Sequence, residues 1–144
     1  MAFMRIKELL EGVKNGLEDM PDTPLKDVRT IALTGYENLL KAVTDLAIFP
    51  CALICAGVVE GDDDGATRTA EVAILLGDEF RLDAEDAAHG YDLIDDMLDY
   101  LTGDDPGQAF KICGAWLTDP AVEPLDIESS HCWWKIVMTA HYAC

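Results

Sequence analysis

Four patterned segments follow one another along this chain: an amphipathic helix, a pair of strands, an acidic helix and a second pair of strands. That order points to a sheet with helices laid on it. The closing segment is the plainest. From Trp133 to Tyr142, the residues Trp134, Ile136, Met138, Ala140 and Tyr142 recur at the two-residue period of a strand. Between them stand Trp133, Lys135, Val137, Thr139 and His141, a mixed face. A strand of this kind is half buried and keeps apolar surface to spare for a partner.

The earlier segments are read in the same way. Phe3, Ile6, Leu9, Leu10, Val13, Leu17 and Met20 recur at spacings of three and four, which makes an apolar stripe on a helix that ends before Pro21 and Pro24. The β-branched stretch from Val28 to Thr34 reads as a short edge strand, although parts of Leu25 to Leu46 also fit a helix. Leu39, Leu40, Val43 and Leu46 give a short helix before Pro50. Cys51 to Val59 is apolar on both faces, as a central strand is. The run EGDDDG from Glu60 to Gly65 is a polar turn into a second strand, with Ala70, Val72, Ile74 and Leu76 on one face and Thr67, Thr69 and Glu71 on the other.

From Ala84 to Leu101 a helical face is drawn by Ala87, Tyr91, Ile94, Leu98 and Leu101, with Asp92, Asp95, Asp96 and Asp99 largely outside it. No Lys or Arg lies in that helix to relieve the repulsion between its carboxylates. Gly103 to Gly107 is a turn. Phe110, Ile112 and Trp116 then alternate along a strand, and a loop from Asp119 to Ser130 carries Pro120 and Pro124 to the closing strand. The expected fold is α+β. It has a mostly antiparallel sheet of four or more strands with two main helices packed on it, in the order helix, strand or helix, strand, strand, helix, strand, strand. One domain over residues 1–144 is expected, burying roughly 68% of the unfolded surface at this length.

Charge narrows the function classes. Asp and Glu outnumber Lys and Arg by 28 to 10, for a net charge of -18. Such a surface repels phosphates, so a direct grip on DNA is not expected. The acidic carboxylates at Asp62, Asp63, Asp64, Asp92, Asp95, Asp96 and Asp99 are either a solvated surface or an electronegative face turned to a basic partner or a DNA passage. The longest apolar run, Leu46 to Val59, is too short to cross a membrane and contains Pro50. The opening MAFMRIKELLEG carries its charges at helical positions rather than as a secretory signal, which leads to a cytosolic expectation. Cys51, Cys55, Cys113, Cys132 and Cys144 are an odd set without a C-x-x-C pair and read as reduced, packed thiols.

Motifs for catalysis are missing: no G-x-S-x-G, phosphate loop, H-E-x-x-H or dinucleotide fingerprint occurs. Ser129 and Ser130 precede His131, but neighbours on an extended chain face opposite ways. His131 and His141 would lie ~30 Å apart on a continuous strand, too far to share a zinc ion. The Asp62 to Asp64 turn lacks the alternating layout of a calcium loop. No catalytic residue, cofactor or metal is expected.

The leading helix, the IFPCALICAGV strand, the polar hairpin after it, the helix HGYDLIDDMLDYLTG and the closing WWKIVMTAHY after EPLDI together resemble the small tail terminator and tail-completion proteins of bacteriophages, most nearly the Mu-type prophage minor tail family. The segment TIALTGYENLLKA departs from that pattern in spacing. The resemblance implies a non-enzymatic virion protein, made in the host cytoplasm, that forms a ring, typically hexameric, on the tail tube and meets the head connector. DNA would pass through the ring without being gripped. On that reading Trp133, Lys135 and Val137, on the outward face of the last strand, are the candidate subunit contact, with Trp133 as an exposed anchor or else packed under the Pro120 to Pro124 loop. The acidic residues are the candidate lumen. The competing reading, from another class, is an acidic inhibitor or DNA mimic that fills a basic nucleic-acid-binding groove.

Overall fold

Residues 5–20, 25–31, 41–43, 48–61, 67–81, 89–102, 115–125 and 131–143 are described by the computed structural model. Helix α1 covers Ile6–Glu18, followed by β1 (Asp27–Thr30), β2 (Cys51–Gly61), β3 (Thr67–Arg81), helix α2 (His89–Thr102), β4 (Ala115–Pro124) and β5 (His131–Ala143). Residues 41–43 are helical as well. The protein is α+β, with a five-stranded sheet in the order β1-β2-β3-β5-β4. Every pairing is antiparallel except β1 with β2, which is parallel. A parallel neighbour cannot be reached by a tight hairpin. The chain between Thr30 and Cys51 therefore makes the crossover, and Val43 within it is buried against the sheet.

Both long helices lie on one face of the sheet. Arg5 caps the start of helix α1, its N–H donating to Glu8 Oε2 at 3.2 Å, half of a capping box. Its Leu9, Val13 and Leu17 are fully buried, at the four-residue spacing of one helical stripe. With Leu93, Ile94, Met97 and Leu101 of α2 they cover Ile54, Val72, Ile74, Leu76, Ile136 and Met138 from three adjacent strands. The apolar face expected for α2 is turned. Leu93 and Met97 are buried where Tyr91 was expected, Leu98 is only half buried, and Ala87 lies outside the described residues. Tyr91 instead sits at the rim, its ring 4.6 Å from that of Trp134, as suits a side chain with an apolar body and a polar tip.

A second, smaller cluster covers part of the opposite face. Val43, Cys51, Leu53, Leu75 and Trp133 are buried there, with Phe49 and Leu125 packed on them. The Phe49 ring meets Trp133 edge-on at 5.9 Å and stacks on His131 at 3.8 Å. This explains why Cys51 to Cys55 are buried on both sides. The burial expected along the whole strand stops there, although the strand runs on to Gly61: Val58 and Val59 are 63% and 45% exposed. Strand β1 is only four residues long and pairs no further than Ile54, and a bulge between Ala56 and Val59 breaks the register.

Strand β4 departs most from expectation. Residues 119–124, expected as loop, continue the strand through Pro120 to Pro124. The register shifts between Thr118 and Ala121, and Asp119 there has φ of 55°. A bulge with one residue in the left-handed region absorbs the proline, which has no N–H to give to a ladder. Strand β4 is also at the sheet edge, where proline is tolerated. The residues expected to begin that strand, Phe110 and Ile112, lie outside the described set, as do Asp62, Asp63 and Asp64.

Candidate interaction surface

Helix α2 turns its carboxylates outward. Asp92, Asp95, Asp96 and Asp99 are all exposed, while the residues between them face the sheet. The pairs Asp92 and Asp96, and Asp95 and Asp99, stand one helical turn apart, where like charges repel. Next to this face lies a groove of about 470 Å³ between the C-terminal half of α2 and the β4 bulge. Asp95, Leu98, Asp99 and Thr102 line it from α2, and Leu117, Thr118, Asp119 and Pro120 from β4. The bulge is what brings Asp119 there. A groove that mixes three carboxylates with apolar side chains suits the head and stem of a Lys or Arg side chain.

The outward face of β5 is divided. Of the two readings of Trp133, exposed anchor or packed ring, the structure has the packed one: the side chain is only 3% exposed, covered by Phe49 and Leu125 rather than by the Pro120 to Pro124 segment. The crossover and the residue after β4 thus close that end of the face. Lys135 and Val137 are half buried, and Lys135 Nζ lies 4.0 Å from Glu123 Oε1, a loose surface pair of little energetic weight.

Further along, the face opens and carries residues that the sequence reading did not select. Trp116, 57% exposed, stacks on His141 with ring centroids 5.3 Å apart and an interplanar angle of 9°. Thr118 Oγ1 lies 2.8 Å from His141 Nε2. In the β4–β5 ladder Trp116 faces His141 and Thr118 faces Thr139, so the same face holds all four. The strand carrying Trp116 and the alternation of Thr139 with His141 were both legible in the sequence; that they face each other depends on the β4–β5 register.

The thiols among the described residues are packing groups, and Cys113 and Cys144 lie outside them. Cys51, Cys55 and Cys132 are free and buried. Burial pushes the Cys51 thiol up to about 12, with the Asp27 carboxylate adding to the effect. Burial also raises Cys55, where Lys135 partly opposes it, and raises Cys132, where buried Asp78 adds to it. Raised thiols are poor nucleophiles and poor metal ligands. Among the described residues no three His, Cys, Asp or Glu side chains gather as a metal site, and no helix is long and apolar enough to cross a membrane.

The fold and these surfaces define a class: an acidic α+β domain with one helix-covered sheet face and one partly open face. A scan against protein-family models finds no match, and a search of the curated proteins finds no relative.

Proposed function

We propose that this protein is a structural component of a phage or prophage tail, assembling as a ring that caps the tail tube and joins it to the head. The observation that carries the reading is the division of surfaces. One helix presents four exposed carboxylates, Asp92, Asp95, Asp96 and Asp99, and the opposite sheet face is left partly uncovered around Lys135, Val137 and Trp116. A ring subunit needs both: a contact face for its neighbours, and a negative lining that lets DNA slide past without adhering. The aromatic anchor of the contact face is Trp116 rather than the buried Trp133, since exposed Trp residues are common hot spots at subunit boundaries.

On this reading the partners are further copies of the chain, in a hexameric ring, together with tail-tube and head-connector proteins. The place of action is the virion tail. No chemistry is performed. A sheet with two main helices packed on it is the architecture that such a ring would repeat.

A second reading draws on the groove walled by Asp95, Asp99 and Asp119. An acidic inhibitor or DNA mimic would use it to hold a basic side chain of a nucleic-acid-binding protein. Light scattering of the purified protein across concentration and at low and moderate salt separates the two, because repulsion between chains of this charge is screened by salt. A discrete ring-sized species that Trp116→Ala disperses supports the tail reading. A monomer under every condition overturns the self-assembling ring and favours the mimic.

A further inference from the structure

Thr118, His141 and Asp119 are linked across the edge of the sheet in a way the ring does not require. Thr118 Oγ1 lies 2.8 Å from His141 Nε2, 3.2 Å from Asp119 Oδ2 and 3.4 Å from the backbone oxygen of Thr139. A threonine hydroxyl has one hydrogen to donate, and a carboxylate or a carbonyl can only accept. With that hydrogen on Asp119, the imidazole must be the donor at Nε2. The other ring nitrogen, Nδ1, then carries the free lone pair.

We infer that His141, Thr118 and Asp119 form a proton-responsive relay, in which proton uptake at His141 Nδ1 is transmitted through the Thr118 hydroxyl to the Asp119 carboxylate in the groove beside α2. A proton from solvent binds Nδ1 and the positive charge stays on the ring. There it makes Nε2–H a stronger donor to Thr118 Oγ1, and the polarised hydroxyl in turn a stronger donor to Asp119.

The other charged groups on this face are placed differently. Glu60 and Thr69 form the same row as His141, with Glu60 across β3 from it. Glu71 leans over Gly57, where an added Cβ would meet its Cδ at 3.1 Å. Lys135 lies further down β5, near Glu123. The buried faces of α1 and α2 pack on the other side of the sheet, and α2 meets Thr118 across the groove, where its Asp95 and Asp99 stand. Among the described residues Asp119 is the carboxylate joined to His141 through a shared hydroxyl. Asp119 also lines the groove opposite Asp95 and Asp99. A proton held on His141 therefore weakens the negative field of that groove from one side. The relay stands on strand geometry and does not depend on ring assembly.

Carbon and nitrogen NMR of the intact protein from pH 5 to 9 tests it. Above the His141 midpoint, Nδ1 is expected to show the signature of an unprotonated nitrogen and Nε2 that of a protonated one. The Asp119 carboxyl carbon is expected to inflect at the His141 midpoint. Thr118→Val should leave His141 titrating but remove that inflection, and Thr118→Ser should restore it. A protonated Nδ1 above the midpoint, no inflection at Asp119, or an inflection that survives in Thr118→Val would each overturn the relay. The nitrogen signature is read on the unaltered chain, so the test stands even where a variant fails to fold.

Discussion

Gly77 stands opposite Trp133 in the β3–β5 ladder, and a Cβ added to it would lie 2.9 Å from Trp133 Cζ2. The same atom would meet Cys51 Sγ at 2.8 Å and Phe49 Cε1 at 2.9 Å. No real Cβ tolerates such distances, so the glycine is what lets the indole and the Phe49 ring close over the sheet. Gly77→Ala should lower stability by about 1–3 kcal/mol through overpacking. Urea unfolding followed by Trp fluorescence measures it, and an unchanged midpoint would show that the cluster repacks freely.

Trp133 and Trp116 lie on the same face of adjacent strands but should respond oppositely to truncation. Trp133→Ala empties a buried site and should cost about 3–5 kcal/mol. Trp116→Ala removes a half-exposed ring and should cost under about 1 kcal/mol. Calorimetric unfolding of both variants settles the order. A large loss at Trp116 would show that its stack on His141 is a structural contact first.

Cys51 gives the fold an alkaline limit. Its thiol ionises near the ordinary 9 in the unfolded chain but is pushed up to about 12 in the folded one. Below 9 both states hold the proton and the contribution is complete. Above 9 the unfolded state releases a proton that the folded state keeps, so stability falls until the pH passes about 12, by at most about 1.4 kcal/mol per pH unit. Comparing wild type with Cys51→Ala at pH 8 and 10 isolates this slope. Parallel slopes in the two proteins would refute it.

The left-handed backbone at Asp119 is tolerated because Asp is among the few residues that enter that region readily. Asp119→Val should destabilise by about 1–2 kcal/mol. Asp119→Gly should be close to neutral, since relief of strain is offset by the freer unfolded chain. Equal effects of the two substitutions in thermal unfolding would place the cost in the lost carboxylate rather than in the backbone.

The α2 carboxylates should make stability depend on salt. Asp96→Lys converts a repulsive one-turn pair with Asp92 into an attractive one, worth a few tenths of a kcal/mol at low ionic strength. At 1 M salt, where the screening length falls to about 3 Å, the difference should vanish. Melting temperatures at the two salt concentrations check this. A gain that persists at high salt would point to packing instead of charge.

The amino-acid pattern by itself determined the α1 stripe through Leu9, Val13 and Leu17, the alternation of β5 and the outward placement of Asp92, Asp95, Asp96 and Asp99. Each of these follows from a local period set by backbone geometry, and no distant residue is needed to read it. Tertiary structure decided the rest. That β1 lies parallel to β2 depends on where the crossover runs, and the burial of Trp133 depends on Phe49 and Leu125 arriving over it from elsewhere in the chain. The path of β4 through Pro120 depends on its pairing with β5, because only a partner strand makes the bulge at Asp119 worth its backbone strain. Periodicity assigns a residue to a face; which faces are then covered is fixed by contacts between distant segments, and those set the line between the closed end at Trp133 and the open end at Trp116 and His141.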